Sequence, residues 1–488
     1  MIAADTTVRS VGFFVNGTWE QPDNRPMHPV MNPAVGQAIA RVPYATAEDV
    51  DRAARAAHAA FLKWRDVPVV ERVQVFYRYK ALLEKNQDEV ARILSSENGK
   101  TLDDARGSVR RGIQMVEVAC GMPSLMMGYS LENVSRGIDS QTIRQPLGVC
   151  AGITPFNFPA MVPMWMFPFA IACGNSFILK PSEKVPLTPT RIAELLDDAG
   201  LPAGVFNLLH GAKESVDALL AHPLIRAISF VGSSPVAKYV YENAARYGKR
   251  VQALGGAKNH LVVMPDANIE KTVEAIMSSA FGAAGERCLA GSVLLAVGSV
   301  AEPLLDALLR KVRSLNIGDG AEPATEMGPL VTDDHRRRVL GYIEKGLAEG
   351  AEALVDGREC AAAKEGGFFV GPTVFDKVTP QMTIAKEEIF GPVLSVIRVK
   401  DLDAAIALVN SSAFGNTTSI FTGDGRSARE YASRVEVGMV GVNIGVAAPM
   451  AFFPFSGWKN SFYGDLHAHG RDAIAFYTEQ KVVMTRWV

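Results

Sequence analysis

The chain has 488 residues, of which 48% are hydrophobic and 21% charged, and its formal net charge at pH 7 is −2. This length predicts two or three domains, and the composition is typical of a soluble globular protein. A charge so close to neutral gives no electrostatic basis for nucleic acid or an anionic membrane as a partner.

The cysteines and histidines argue against disulfides and metal sites. The five cysteines are widely spaced and include no CxxC pair: Cys120, Cys150, Cys173, Cys288 and Cys360. This pattern fits a reducing compartment. The eight histidines are scattered except for His467 and His469, which we expect at the surface or at an interface. No metal site is therefore predicted.

Residues 1–14 lack a basic stretch followed by an apolar one, so we expect no secretory signal or transit peptide and a cytoplasmic location. Residues 145–179 carry no charged side chain and are long enough to cross a bilayer. Prolines at five positions would break such a helix repeatedly. We therefore predict a buried strand, a core helix and a second strand over this stretch.

Taken in chain order, the first predicted elements are helices over 46–65, 70–98 and 102–122. Thr46 followed by Asp49 has the capping-box pattern for the first of them. From about residue 146, short apolar runs alternate with helical segments, one of them starting with Thr188 as N-cap and Pro189 in its first turn. Strands separated by helices of 10–15 residues predict a parallel, doubly wound sheet.

A second series of alternating strands and helices runs from about 257 to 450 and predicts a second α/β domain. Two further segments, residues 127–145 and the C-terminal "QKVVMTRWV", also read as strands. Because neither belongs to the two series, we expect them to pair across subunits.

No GxGxxG fingerprint follows any predicted strand, so a dinucleotide would need another site. Lys180 ends one predicted strand, and "FVGSSP" ends another. The carboxyl ends of neighbouring parallel strands border one crevice, where Glu183 could hold ribose hydroxyls. Gly232 and Ser233 open a helix whose N–H groups could receive a phosphate. These residues alone do not distinguish a cofactor site from ordinary strand ends.

The stretch "GERCLAG" places one cysteine, Cys288, beside Arg287 among small residues. A disulfide partner, a metal ligand, a core contact and a catalytic nucleophile are all open interpretations of such a thiol. Most free cysteines are small buried hydrophobes, and we expect that of the other four.

Seven motifs, taken together and in this order, resemble the signatures of the aldehyde dehydrogenase superfamily over nearly the whole chain. They are "TPFNFP" (154–159), "LKPSE" (179–183), "FVGSS" (230–234), "LGGAKNH" (254–260), "GERC" (285–288), "EEIFGP" (387–392) and "PFSGWKNSFYGD" (454–465). The resemblance implies an aldehyde-dehydrogenase-like α/β fold, with two doubly wound parallel-sheet domains plus a small β oligomerisation arm.

The resemblance also implies domain boundaries. An NAD-binding domain would take 1–126 and 146–255, a catalytic domain 256–450, and the oligomerisation arm 127–145 and 466–488. Such an arm predicts a homo-oligomer, either a dimer or a tetramer.

In this resemblance Cys288 is the nucleophile that adds to an aldehyde carbonyl. The Asn157 amide and the Cys288 backbone N–H would stabilise the resulting oxyanion. The residues implied to bind the cofactor are Thr154, Phe156, Lys180, Glu183, Gly232, Ser233, Glu388 and Phe390. A carboxylate at Glu183 would repel a 2′-phosphate, so NAD is expected rather than NADP.

One departure from the wider family is Ala253, in "ALGG", where members that hydrolyse their thioester commonly carry glutamate as the base for water. Coenzyme A, whose thiol is a strong nucleophile without such a base, is the expected acyl acceptor. "LGGAKNH" and "FPFSGWKNSFYGD" also resemble the CoA-acylating methylmalonate/malonate semialdehyde dehydrogenases. That branch implies that Arg287 and Arg111, chosen over its neighbour Arg110, bind the substrate carboxylate.

The resemblance thus implies oxidation and decarboxylation of a semialdehyde acid, giving propionyl-CoA or acetyl-CoA. The partners expected are NAD, CoA and the small-molecule substrate, with neither nucleic acid nor membrane. Two alternatives stay open: a hydrolytic dehydrogenase that uses another base and releases a free acid, and a catalytically idle relative with a structural or binding role.

Overall fold

The computed structural model describes residues 9–22, 24–364 and 366–487. Within these ranges the strands form two large, mainly parallel sheets, each covered by helices, and three small sheets. The predicted α/β alternation is confirmed. The first eight residues of the predicted NAD-binding domain and the last residue of the predicted arm lie outside the described residues.

The first large sheet contains eight of the described strands. Their spatial order is Phe462–Tyr463, Arg250–Leu254, Ile225–Val231, Val149–Ile153, Ser176–Lys180, Phe206–Leu208, Phe13–Val15 and Thr18–Glu20. The five central strands are parallel and the outer ones antiparallel. The order reverses between Val149–Ile153 and Ile225–Val231, which creates the crevice where a doubly wound sheet binds ligands.

The second large sheet contains seven of the described strands. Their order is Glu352–Val355, Thr373–Asp376, Val393–Val399, Gly291–Val297, Asn259–Val263, Thr417–Phe421 and Met439–Val442. All neighbours are parallel except the first pair. The central strands are buried along nearly their whole length, as expected for a sheet that is covered on both faces.

The third sheet corrects the prediction that the two outlying segments lack partners of their own. Strand Ile138–Pro146 pairs antiparallel with Ser130–Ser135 on one side and with Thr478–Arg486 on the other. The C-terminal strand is thus held by nine pairs within its own chain. The smaller sheets join Arg9–Ser10, Gln37–Pro43 and Met27–Asn32, and Phe414–Gly415 with Trp458–Lys459.

Nine of the described helices belong to the part of the chain that forms the first large sheet. They are Ala47–Trp64, Val69–Lys85, Gln87–Asn98, Leu102–Cys120, Met122–Leu125, Met161–Ala172, Leu187–Asp198, Lys213–Ala221 and Ser234–Arg246. The remaining helices lie later in the chain. They are Ile269–Phe281, Ala301–Arg313, Asp333–Ala348, Thr383–Lys386, Leu402–Ser411, Gly425–Arg434 and Gly470–Phe476. Short 3₁₀ turns add Gly282–Gly285, Gly298–Val300, Gly357–Glu359 and Ala361–Lys364.

The capping box of the first helix is confirmed, since Thr46 N donates to the Asp49 carboxylate and the reciprocal bond is also made. The single helix predicted over 70–98 is wrong. It breaks at Asn86, whose φ of −105° leaves the helical region and whose side chain donates to the Leu82 carbonyl over 2.7 Å.

The helix predicted to start after Thr188 begins two residues earlier, at Leu187. Its first amides, Leu187 N and Thr188 N, donate to the carboxylate of Glu97 over 2.7 and 2.8 Å. Glu97 is fully buried and comes from a different helix. A distant carboxylate therefore caps this helix, and Thr188 does not.

The charge-free stretch 145–179 forms the interior of the first domain. Helix Met161–Ala172 is buried along nearly its entire length, between strands Val149–Ile153 and Ser176–Lys180. Of the helices described, none combines the length and the hydropathy needed to cross a membrane.

Candidate active site

Cys288 lies between the 3₁₀ turn Gly282–Gly285 and strand Gly291–Val297. Three consecutive residues before it have left-handed backbones: Ala283 (φ 50°), Ala284 (φ 51°) and Gly285 (φ 73°). A Cβ on Gly285 would lie 2.2 Å from the Gly391 carbonyl oxygen, so this position requires glycine. A left-handed alanine is strained, and two in succession indicate a turn that the surrounding contacts impose.

Two side-chain amides hold the backbone of the nucleophile candidate. Asn259 Nδ2 donates to the Cys288 carbonyl oxygen over 2.9 Å, and Asn416 Nδ2 donates to the same atom over 2.8 Å. The two asparagines precede neighbouring strands of the second sheet or begin them. The amino ends of that sheet therefore fix the position of Cys288.

The Cys288 thiol is partly exposed, yet its surroundings are poorly hydrated. Burial, together with a smaller contribution from the nearby carboxyl of Glu388, raises the pKa of Cys288 to about 12. The backbone N–H groups of Cys288 and Leu289 and the charge of Lys100 act in the opposite direction. The resting thiol is thus neutral at physiological pH, and forming the thiolate requires local positive potential.

Cys288 separates two cavities. The first, of about 260 Å³, is lined by Lys100, Asp104, Arg111, Arg287 and His469 together with apolar side chains. The second, of about 170 Å³, is lined by Phe156, Asn157, Gly232, Ser233, Glu388 and Phe390 among others. Since Cys288 lines both, its sulfur can be reached by one reactant from each side.

In the first cavity the two predicted arginines differ in their partners. Arg287 donates to the Asp104 carboxylate over 2.5 Å. Arg111 contacts uncharged acceptors among the described residues, chiefly the carbonyl oxygens of Ala448 and Pro449 at 3.2 and 2.9 Å. The charge of Arg111 is therefore available to a carboxylate ligand, whereas that of Arg287 is shared with Asp104.

Asn157 comes from the loop after strand Val149–Ile153 and is buried beside Cys288. Its Nδ2 donates to the Glu286 carbonyl over 2.9 Å, which ties the loop of the first sheet to the cysteine loop of the second. A side-chain amide has two N–H donors, and the second has no partner among the residues that the structure describes, so it is available to a substrate oxygen.

The second cavity contains most of the residues predicted to bind a cofactor. Glu388 Oε1 accepts from Ala257 N over 2.9 Å, and burial raises the pKa of Glu388 to about 7. A Cβ on Gly256 would lie 2.3 Å from the other carboxylate oxygen, so a larger residue there would displace the Glu388 carboxylate. Phe390 (φ 61°) meets the Phe156 ring edge-on at 5.8 Å.

Three of the predicted cofactor residues, Lys180, Glu183 and Thr154, are not part of the lining of this cavity. Lys180 Nζ donates to the Gly211 carbonyl over 2.7 Å and lies 3.5 Å from the Glu183 carboxylate. Thr154 is buried, and within the described ranges its hydroxyl has no partner. These side chains sit at the carboxyl ends of Ser176–Lys180 and Val149–Ile153, as predicted.

Ala253 is fully buried in strand Arg250–Leu254 and pairs with Phe230 and Tyr463. The residues of this segment that line the second cavity are Gly255 and Gly256. No ionisable group is therefore contributed by the "ALGG" turn itself.

The expected surface position of His469 is wrong. Its side chain is fully buried, Nδ1 donates to the Phe453 carbonyl over 2.7 Å, and burial lowers its pKa to about 4. It lines the first cavity beside Trp165. Among the residues described, no three His, Cys, Asp or Glu side chains group as metal ligands.

Sequence reasoning missed several residues of the site. Asn259 lies within the quoted "LGGAKNH", whereas Asp104 and Asn416 belong to no quoted motif. Lys100 and His335 also line the two cavities. Their roles depend on contacts with residues far away in the chain, which no local pattern indicates.

A cysteine between two cavities, beside a side-chain amide and at the seam of two α/β sheets, defines an enzyme class with a covalent thiol nucleophile. The family model described as "Aldehyde dehydrogenase family" matches residues 19–483. The chain belongs to this family, as its motifs indicated.

Named relatives cover almost the whole chain. The sequence is 51% identical to malonate-semialdehyde dehydrogenase 2 of Geobacillus kaustophilus, over 99% of this chain and 100% of the relative. The crystal structure of methylmalonate-semialdehyde dehydrogenase (DddC) from Oceanimonas doudoroffii superposes with a TM-score of 0.97, at 47% identity and 99% coverage of both chains. A structure from Sinorhizobium meliloti 1021, complexed with NAD, gives a TM-score of 0.97 at 46% identity, also covering 99% of both chains.

Proposed function

We propose that this chain is an NAD-dependent, CoA-acylating dehydrogenase of malonate or methylmalonate semialdehyde. The observation that carries the proposal is the cavity that joins Cys288 to Arg111 and Arg287. An aldehyde with a carboxylate one carbon away fits a thiol and a guanidinium that line one small cavity. The names of the relatives support the same substrate class.

The first chemical step is addition of the Cys288 sulfur to the aldehyde carbon. The thiol loses its proton to solvent, a carbon–sulfur bond forms, and the carbonyl π electrons move onto oxygen. The free N–H of Asn157 and the backbone N–H of Cys288 stabilise this oxygen. Arg111 and Arg287 hold the carboxylate, so that the carbonyl is presented to the sulfur.

The second cavity is suited to NAD. Gly232 and Ser233 precede helix Ser234–Arg246, whose first N–H groups suit a phosphate. The unpartnered Thr154 hydroxyl and the Glu388 carboxylate are further polar groups for such a ligand. Bound by these groups, NAD would supply the hydride acceptor for the oxidation, and the product held on Cys288 would be a thioester.

The thioester is then passed to CoA. The CoA thiolate attacks the acyl carbon, the bond to Cys288 breaks, and Cys288 leaves as a thiolate. Loss of carbon dioxide moves the carbon–carbon bonding electrons into the thioester carbonyl, and a proton then adds at carbon. Ala253 cannot activate water, which favours the thiol as acceptor.

Product analysis is the test of this proposal. We expect NADH formation from malonate semialdehyde to continue beyond one turnover only with CoA, and mass spectrometry to show acetyl-CoA. Methylmalonate semialdehyde should give propionyl-CoA. Sustained NADH formation with free acid as the product would contradict CoA acylation and leave the dehydrogenase assignment intact, whereas no NADH at all would indicate an idle relative.

One observation favours the hydrolytic alternative. Burial raises the pKa of Glu388 to about 7, and this carboxyl is close enough to affect the Cys288 thiol. A carboxyl with such a pKa is a competent base for water. Ala257 N holds one of its oxygens, which favours a positioning role instead. Because Glu388 also lines the cavity proposed for NAD, the test uses saturating NAD: if Glu388 is the base, Glu388→Gln should lower free-acid release far more than acyl-CoA formation.

Arg111 gives the sharpest test of substrate class. Arg111→Ala should raise the KM for malonate semialdehyde roughly 10- to 100-fold, because a charged hydrogen bond contributes about 1.5–3 kcal/mol. The KM for propanal, which has no carboxylate, should hardly change. Steady-state kinetics on both substrates provide the measurement.

The neighbouring Arg110 is exposed and supplies a matched control. Arg110→Ala should leave both KM values unchanged. Equal effects of Arg111→Ala on the two substrates would show that Arg111 does not bind the carboxylate.

We also propose that the arm sheet, built from Ser130–Ser135, Ile138–Pro146 and Thr478–Arg486, joins subunits into a dimer or tetramer. It exposes apolar side chains, including Leu131, Met484 and Trp487. Light scattering of the intact protein measures this, and a monomer would contradict it.

A further inference from the structure

The turn between helices Gln87–Asn98 and Leu102–Cys120 directs one lysine into the site. Gly99, with φ 85°, ends the first helix and donates to the Ser95 carbonyl over 2.8 Å. Ser95 Oγ donates to the Lys100 carbonyl over 2.6 Å. These bonds fix the backbone of Lys100, so its side chain has a defined direction.

Two side chains of this turn donate hydrogen bonds to the loop that carries Asn157. Asn98 Nδ2 donates to the Phe156 carbonyl over 3.1 Å, and Lys100 Nζ donates to the carbonyl of Asn157 itself. Lys100 Nζ also lies 3.5 Å from the centre of the Phe158 ring, within range of a cation–π contact. Three successive residues of the loop are therefore held by one turn.

The charge of Lys100 faces the cysteine loop. The ionisable groups that act on it are Asp104 on the next helix and Arg287, Glu286 and Cys288 on that loop. Burial lowers the pKa of Lys100 to about 7. Asp104 is engaged with Arg287 and with a backbone amide of the cysteine turn.

Lys100 is 4% exposed and lines the same cavity as Cys288. Within the described ranges its Nζ donates to a backbone carbonyl and forms no carboxylate ion pair. Keeping a buried ammonium without a direct anionic partner costs free energy, and an apolar side chain of similar length would avoid this cost. An anion that forms nearby during the reaction would offset it.

We propose that Lys100 is a positioning residue with two effects: its ammonium holds the Asn157 carbonyl, and its positive charge stabilises the thiolate of Cys288. This inference rests on the proposed function, in which Cys288 is the nucleophile. Lys100 thus aligns the oxyanion donor and favours the reactive form of the sulfur from one position.

The test measures how fast iodoacetamide alkylates Cys288 as a function of pH, followed by peptide mass spectrometry. The rate follows the thiolate fraction. Lys100→Met keeps the length of the side chain and removes the charge, so we expect about tenfold slower alkylation near pH 6, equivalent to one pKa unit. The alkylation rate of the wild type divided by that of Lys100→Met should fall toward one above about pH 7, where Lys100 loses its proton.

Asn98→Ala is the matched control, because it removes a hydrogen bond to the same loop without removing a charge. We expect it to slow turnover while leaving the pH dependence of alkylation unchanged. Lys100→Arg should restore much of the wild-type rate below about pH 7 and keep it as pH rises. A wild-type to Lys100→Met ratio that is the same at every pH would overturn the electrostatic role.

The experiment separates this inference from the proposed function. If complete alkylation of Cys288 in the wild type left dehydrogenase activity intact, the nucleophile assignment itself would fail. If alkylation abolished activity but Lys100→Met had the wild-type pH profile, the Lys100 inference alone would fail. A Cys360→Ser background removes the other partly exposed thiol.

Discussion

Cys288→Ala is expected to lower kcat on the order of 10⁶-fold, the loss seen when the nucleophile of a covalent enzyme is removed. Alanine fits the space of the thiol, and the carbonyl clamp by Asn259 and Asn416 does not involve the side chain. The variant should therefore fold and bind NAD as the wild type does. NADH formation with saturating substrate and CoA measures the loss.

Cys360→Ser is the control for this experiment, because Cys360 is also a partly exposed free cysteine but lines neither of the two cavities. It should keep wild-type turnover. Substantial activity in Cys288→Ala would exclude every scheme with a thioester on this residue, whether the acceptor is water or CoA.

Asn157→Ala is expected to reduce kcat about 10²- to 10³-fold, as removal of one oxyanion donor does. The donor acts on charge that develops in the transition state, so kcat should fall much more than KM changes. The same change removes the bond to the Glu286 carbonyl, and the melting temperature should be measured alongside the kinetics.

Asn157→Asp keeps the shape of the side chain but replaces donors by acceptors, both next to the oxyanion and opposite the Glu286 carbonyl. It should therefore be at least as inactive as Asn157→Ala. A variant at this position with a lowered melting temperature and full kcat would show that Asn157 holds its own loop to the cysteine loop and does not stabilise the oxyanion.

Much of the architecture could be predicted because it depends on local patterns. Alternating apolar runs and helical segments specify parallel sheets, and the capping box of Thr46 and Asp49 forms as its spacing indicates. Such signals need no knowledge of distant contacts.

The features that were missed depend on residues far apart in the chain. Glu97 caps the helix that begins at Leu187, across 90 residues of sequence. Asp104 pairs with Arg287 across 183 residues, which changes the charge that Arg287 offers to a ligand. The burial of His469 arises from packing against Trp165. None of these pairings has a local sequence pattern.

The bond from the Asn157 amide to the Glu286 carbonyl joins loops that emerge from different sheets. In the proposed mechanism, the reactive sulfur and the oxyanion donor thus lie on loops of different sheets, and catalysis requires that the two sheets dock correctly at this contact. A substitution that shifted one sheet against the other by a fraction of an ångström would leave each core intact and still abolish activity. Substitutions at this contact should therefore reduce activity more than equally large substitutions inside either sheet.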